Sequence, residues 1–299
     1  MKIFYTDHYV LPLPLGHRFP MRKYGDLRER VSRATWLRTD ILHEPHAASD
    51  AELVRAHCAN YVRCVQSGDL DAKAMRRIGF PWTPEMVERS RRSSGATIDA
   101  CFVALSEGCG VNLAGGTHHA FRDFGEGFCV FNDSIVAARA VQASGLAQRI
   151  AIIDCDVHQG NGTAAIARDD DTIFTFSMHG ANNFPFRKET SDLDIELDDG
   201  TGDDEYLQAL ARGVAETLER STPDLVIYLA GADPYEGDRL GRLKLSKEGL
   251  AARDEFVLST MKRKNIPVAV TMAGGYGHDI ADTVDIHFRT VEMAAEIFS

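Results

Sequence analysis

Five short, continuous apolar runs rich in β-branched residues punctuate the chain from near residue 110 onward. They are VNLA (111–114), RIAIID (149–154), TIFTFS (172–177), DLVIYLAG (224–231) and IPVAVTMAGG (266–275). Runs without polar alternation suit strands covered on both faces, as in a parallel sheet. Segments of helical period lie between them. In DDEYLQALARGVAETLERS (203–221), Leu207, Leu210, Ala211, Val214 and Leu218 form one apolar stripe at i, i+3, i+4, i+7 and i+11. SKEGLAARDEFVLSTMKRK (246–264) opens on Ser246 as N-cap and closes on a basic turn that suits the helix dipole. Thr83-Pro84-Glu85 starts a further helix, with proline at the first helical position. The first 80 residues are less regular: a strand at KIFY, a Pro/Gly-rich loop at 11–20 and a helix around 49–66. The alternation predicts a doubly wound α/β sheet.

Composition narrows the function classes. The 299 residues hold 33 Lys plus Arg against 44 Asp plus Glu, a formal charge of −11, which argues against a chain-wide nucleic-acid surface and favours attraction of cationic substrates. No run approaches a membrane span, and the start MKIFYTDHYV has no apolar core followed by a cleavage site. A cytoplasmic protein is expected, without membrane or nucleic-acid partners; nothing indicates the oligomeric state. The six cysteines (Cys58, Cys64, Cys101, Cys109, Cys129, Cys155) form no C-x-x-C pair and read as reduced thiols, with Cys129 and Cys155 buried rather than nucleophilic. With no repeat and no linker, the chain reads as one domain over 1–299.

The unusual residues fall just past the strand ends, where open α/β sheets bind ligands. They are Gly115-Gly116-Thr117-His118-His119, Asp154-Cys155-Asp156-Val157-His158, Ser177-Met178-His179, Ala230-Gly231-Ala232-Asp233 and Ala273-Gly274-Gly275-Tyr276. In extended chain, Asp156 and His158 point to the same side and converge on one ion, and Asp233 offers a third ligand. Three N/O ligands without a fourth describe a catalytic zinc site with a position left for water. Alone, D-x-H is more often a pair of loop residues, so its neighbours carry the reading. The adjacent His118 and His119 suit acid–base work, each needing a partner for its other ring nitrogen; Asp154 and Asn161 are the candidates. Tyr276 follows two glycines, so its phenol can approach a developing oxyanion. His8, His17, His43, His46, His57, His278 and His287 lack partner spacing and read as surface or packing residues, whereas His179 is a candidate to support the metal shell.

GGTHHAF, GFCVFND, DCDVHQGNG, AGADPYEGDRLG and AGGYG, in that order from about residue 90 to the end, resemble the zinc-dependent histone deacetylase and acetylpolyamine amidohydrolase family. HQGNG and EGDRLG, with LS and a helix containing RDE after them, look most like class IV. The resemblance implies an arginase-like α/β fold, a single mostly parallel sheet of about eight strands flanked by helices. It implies Asp156, His158 and Asp233 as ligands of one Zn²⁺, with Fe²⁺ left open as the native ion. His119 would be general base and then acid, His118 its electrostatic partner and Tyr276 the oxyanion donor, with Asp154 orienting His118 and Asn161 orienting His119. Gly127 would offer its carbonyl to the substrate amide; Phe128 and Phe184, with Phe186 close by, would wall an acyl-lysine tunnel. K⁺ would lie on backbone carbonyls of Asp154, Asp156, His158, Ser177 and Met178, with a second site around Ala167, Asp170 and Ile173. Class I members carry Asp where Asn161 stands, so His119 should be less polarised here. Leu240 stands where one polyamine-deacetylating branch has a Glu gatekeeper.

The expected activity is hydrolysis of acetyl or longer acyl groups from lysine side chains. The alternative is the same chemistry on acetylpolyamines or another small acylated amine. A non-catalytic acyl-lysine binder is disfavoured because each catalytic position is filled, and a two-metal ureohydrolase because the carboxylates are too few.

Overall fold

The computed structural model describes residues 1–36 and 41–298. Among these, eight strands form one sheet: β1 (Lys2–Phe4), β2 (Leu42–His43), β3 (Cys109–Asn112), β4 (Ile150–Asp154), β5 (Ile173–Gly180), β6 (Leu193–Leu197), β7 (Leu225–Leu229) and β8 (Val268–Thr271). Their order is β2-β1-β3-β8-β7-β4-β5-β6 and every pair is parallel. The five strands expected from the apolar runs are the five central neighbours, β3-β8-β7-β4-β5, so their carboxyl ends share one rim. Along β4, Ile150 and Ile152 pack on one face while Ala151 and Ile153 pack on the other. Both faces are therefore dry, and the run is continuous because neither parity of residue meets water.

One face packs against helices Asp203–Ser221 and Lys247–Lys264 and the other against Pro84–Glu107 and Asp133–Ala143. The long helix starts at Thr83, whose side chain accepts from the Met86 N–H, and Ser246 caps its own helix through the Gly249 N–H. The stripe predicted over 203–221 is rotated. Tyr206, Ala209, Leu210, Gly213, Val214, Thr217 and Leu218 are buried, while Leu207 and Ala211 lie half-buried at the edge. Gly213 sits so close to the Phe176 ring that a Cβ there would lie 2.3 Å from it, so small residues set the face.

Two boundaries differ from the sequence reading. The strand expected at 111–114 lies two residues earlier; Leu113 and Ala114 turn toward the site, bonded to the Phe4 carbonyl and the Asn112 side chain. The helix expected around 49–66 is two helices, Asp50–Leu53 and Ala59–Ser67. The break lets the Cys58 N–H bond the Arg122 carbonyl (2.8 Å) and puts His57 between two loops.

Buried His57 donates from Nδ1 to the Phe121 carbonyl (2.9 Å) and accepts at Nε2 from the Asn132 N–H (2.9 Å). This is the neutral tautomer, and burial lowers its pKa to about 4. The unfolded chain thus takes up the proton first, so this stabilisation is complete above about pH 6.5 and is lost as pH falls toward 4, on the order of 3 kcal/mol. Urea midpoints measured across that window should fall less steeply for His57→Gln, which can make both bonds without titrating. Parallel curves would exclude His57 as the cause.

Candidate active site

Asp156 and His158 lie in a bend just past β4 rather than in extended chain, and Asp233 lies four residues beyond β7, the strand hydrogen-bonded beside β4. The structure brings one ligand atom from each within 4.8 Å of the others, all buried. His158 Nδ1 is 2.9 Å from Asp156 Oδ1 and 3.2 Å from Asp233 Oδ2. Burial, and then the charge of Asp156, push the Asp233 carboxyl up to about 7. Its Oδ2 is buried without a hydrogen bond. Gly274 closes the pocket: a Cβ there would lie 2.0 Å from Asp233 Oδ2 and 2.5 Å from Asp156 Oδ2. Two crowded carboxylates, an imidazole and an orphaned oxygen are a donor set that fits a divalent cation such as Zn²⁺.

His118 and His119 follow β3, with ring centroids 4.1 Å apart, yet their environments are opposite. His118 donates from Nδ1 to Asp154 Oδ2 at 2.6 Å. Burial opposes its charge, but Asp154 and Asp156 outweigh burial and lift its pKa to about 9. His119 donates from Nδ1 to Asn161 Oδ1 at 2.7 Å. Burial, then the cationic His118 and His158, hold it well below the usual histidine range. Neutral His119 keeps a bare Nε2 lone pair beside the protonated His118, the separation of pKa values that divides acid and base roles. Asn161 Nδ2 donates to Glu126, which fixes the amide orientation.

Tyr276 follows β8 and is buried. Burial, then the charges of Asp156 and Asp233, raise its pKa well above the ordinary value, so the phenol stays a donor. Its ring lies between Phe128, Phe19 and His158, at centroid distances of 6.1, 6.4 and 6.4 Å. Phe184 stands edge-on to His119 at 4.9 Å, whereas Phe186 is 86% exposed at the mouth with half-buried Leu240. Gly127 has φ 55°, and a Cβ there would lie 2.7 Å from His119, so only glycine gives this close approach. An outer cavity of about 460 Å³ and an inner one of about 60 Å³ meet at His119, His158, Gly127, Phe128 and Tyr276.

A model of the histone deacetylase domain matches residues 17–291. The chain belongs to the histone deacetylase family. It is 44% identical over 296 residues, 99% of both chains, to an uncharacterised protein of Picosynechococcus sp.. It is 31% identical over 301 residues to histone deacetylase 2 of Arabidopsis thaliana, covering 95% of this chain and 78% of that one. A histone deacetylase-like amidohydrolase of Pseudomonas aeruginosa is 31% identical over 245 residues, 77% of this chain and 64% of that one. The fold matches that of a histone deacetylase homologue solved with SAHA, at TM-score 0.83 and 22% identity over 98% of this chain and 84% of that one. It also matches the HDA15 HD domain, at TM-score 0.78 and 19% identity over 100% of this chain and 90% of that one. The arginase/deacetylase-like fold expected from the motifs is the fold of this deacetylase-family chain.

Of the carbonyls expected to bind K⁺, those of Asp154 on β4 and of Ser177 and Met178 on β5 lie on adjacent strands, with Asp154 paired to Ser177, while those of Asp156 and His158 lie in the turn just past β4. At the second site, the Ala167 and Asp170 carbonyls accept from the Asp170 and Ile173 N–H groups, and the Asp170 carboxylate pairs with Arg139. His179 is buried on β5 and contacts Ser177 Oγ at 3.0 Å.

Several supporting residues escaped the sequence reading. Asp133, inside GFCVFND, accepts from the N–H groups of Gly116 and Thr117 and from both threonine hydroxyls, Thr97 and Thr117. Asp238, inside EGDRLG, accepts from the N–H groups of Leu240, Gly241 and Tyr276. Lys188 donates to the carbonyls of Ala181, Asn183 and Pro185 and lashes the loop that carries Phe184. Fully buried Arg253 donates to the Gly231 and Cys155 carbonyls beneath the ligand-bearing turns. Lys23, 2% exposed, donates to the carbonyls of Ala273 and Gly275. For Asp133 and Asp238, an acid inside a Gly-rich motif was a usable signal; Lys23 had none.

Proposed function

We propose that this deacetylase-family chain is a zinc-dependent amidohydrolase, nearest class IV, that removes acetyl or longer acyl groups from lysine side chains. Residues 1–299 would act as one catalytic unit. The observation that carries the reading is the His118–His119 pair, one held cationic and one neutral, facing the Asp156–His158–Asp233 cluster and Tyr276 across a single neck. Asp156, His158 and Asp233 would hold Zn²⁺, which when bound supplies Lewis acidity toward the acyl oxygen and lowers the pKa of water toward neutrality.

In this reading the lysine stem lies between Phe128 and Phe184, under Leu240, and the Gly127 carbonyl accepts from the substrate amide N–H. The Tyr276 phenol donates to the acyl oxygen as charge develops there. Nε2 of His119 takes the proton of the attacking water and returns it to the amine nitrogen, which leaves as the neutral amine as the C–N bond breaks and the carboxylic acid forms. Asn161 keeps His119 in the tautomer with Nε2 bare, and the Asp154-held His118 cation stabilises negative charge building at the centre. Backbone carbonyls at Asp154, Asp156, His158, Ser177 and Met178 would hold K⁺ beneath the site.

The inner cavity of about 60 Å³ limits the acyl group. At roughly 10–15 Å³ per water-sized group, it takes about four to six such groups without rearrangement. A panel of lysine-acyl peptides from acetyl to myristoyl, with acetylspermidine alongside, tests the reading. Acetyl to about hexanoyl should turn over, myristoyl should be slow, a chelator should abolish the activity and Zn²⁺ restore it. No free acid from any substrate at one Zn²⁺ per chain would overturn the reading.

A further inference from the structure

The formal charge of −11 predicts attraction of cations, but the entrance to the site is lined the other way. Its outer cavity, of about 460 Å³, is bordered by Arg18, Arg239 and Arg242 and, among the described residues, by no Asp or Glu. Among the described residues, neither Arg18 nor Arg239 forms an ion pair. Arg239 is nonetheless fixed, donating from Nε to the Tyr276 carbonyl at 2.8 Å and from Nη2 to the Arg18 carbonyl at 3.2 Å. Its guanidinium is therefore ordered before any ligand arrives, over the same turn that presents the tyrosine. Arg242 pairs with Asp199 at 3.0 Å, but both are about half exposed, and such a pair exchanges partners at little cost. Three guanidiniums in one concave, partly apolar entrance focus a positive field whatever the net charge of the chain. A second ammonium on a substrate would lose its hydration facing like charges, whereas a carboxylate or phosphate would meet donors suited to its oxygens.

We propose that this mouth selects acylated amines that carry an oxyanion beside the acyl-lysine stem, and that Arg18, Arg239 and Arg242 determine that specificity. The inference rests on the deacylase reading for the reaction itself but not for binding. Two sources supply the oxyanion: an acidic side chain flanking acyl-lysine in a peptide, or the α-carboxylate of a small acyl-amino acid.

The test uses the Zn²⁺-loaded full chain and three fluorescent acetyl-lysine peptides that differ only in flanking Asp, Ala or Lys. Free Nε-acetyl-lysine is compared with its α-amide. Binding is read by anisotropy, or by competition for the small molecules, and turnover separately. Affinity should fall in the order Asp, Ala, Lys, by about tenfold or more end to end at low salt, and the spread should narrow as salt shortens the Debye length from about 30 Å at 0.01 M to about 10 Å at 0.1 M. Among the described residues the exposed Arg18 side chain makes no hydrogen bond or ion pair, and Arg18→Glu should compress or invert the order. A preference only for the free amino acid over its amide would assign the oxyanion to a small molecule. Equal affinities across the peptides together with equal affinities for the amino acid and its amide would overturn the proposal, as would an order indifferent to salt and to Arg18→Glu. An intact Asp preference in a protein that releases no acetate would sustain this proposal while removing the deacylase reading.

Discussion

Tyr276→Phe should lower kcat on an acetyl-lysine peptide by about 10²–10³, the usual cost of one oxyanion donor, with a much smaller change in KM. The effect falls on kcat because the phenol's bond strengthens only as the acyl oxygen gains charge. The substitution keeps the ring and with it the contacts to Phe128 and Phe19. The backbone anchors remain too: the Tyr276 N–H bonds Asp238 at 2.6 Å and its carbonyl accepts from Arg239. Folding and metal content should match wild type, and unchanged kcat would show that the oxygen is stabilised by another group.

His119→Ala should cost about 10²–10⁴ in kcat, the range for a positioned general acid–base. Its neighbour offers no substitute. His118 donates one ring proton to Asp154 and, with its pKa near 9, holds the other through the neutral range, so it has no lone pair to accept with. Single-turnover rates at matched zinc content are the appropriate measure. If His119→Ala kept more than about a tenth of the wild-type rate, proton transfer would have to be assigned elsewhere.

How much of this could be read in the chain itself depended on whether a residue's signal was local. The central strands were legible because both faces are dry and the apolar run is unbroken. The edge strand β6, LDIEL, alternates acids with aliphatics and fell outside that criterion. The two-residue β2 is too short to carry a pattern. His118, His119, Asp154, Asp156, His158, Asn161, Asp233 and Tyr276 were legible because each sits in a short motif at or following a strand end. The walls were harder to see. The Gly127 and Phe128 N–H groups are held by the Arg77 and Ile78 carbonyls at the end of helix Ala72–Ile78, nearly fifty residues upstream. Lys23 has no local signal; the turn after β8 supplies the Ala273 and Gly275 carbonyls that draw its ammonium inside. Net charge is a sum over the chain, and the mouth, lined by Arg18, Arg239 and Arg242, samples only a few of its members.

The strand order bears on when activity first appears as the polypeptide is made. His118 and His119 leave β3, while Asp156 and His158 leave β4, three positions away across the sheet, about 14 Å at the usual strand spacing. The two strands that fill that gap, β7 and β8, are the last to leave the ribosome, and they carry Asp233 and Tyr276. A nascent chain therefore holds its paired imidazoles and the first two residues of the proposed metal cluster while 75 further residues are added from His158 to Asp233 and 118 to Tyr276. A fragment ending before Asp233 lacks the third residue of the proposed metal cluster, and one ending before Tyr276 lacks the proposed oxyanion donor.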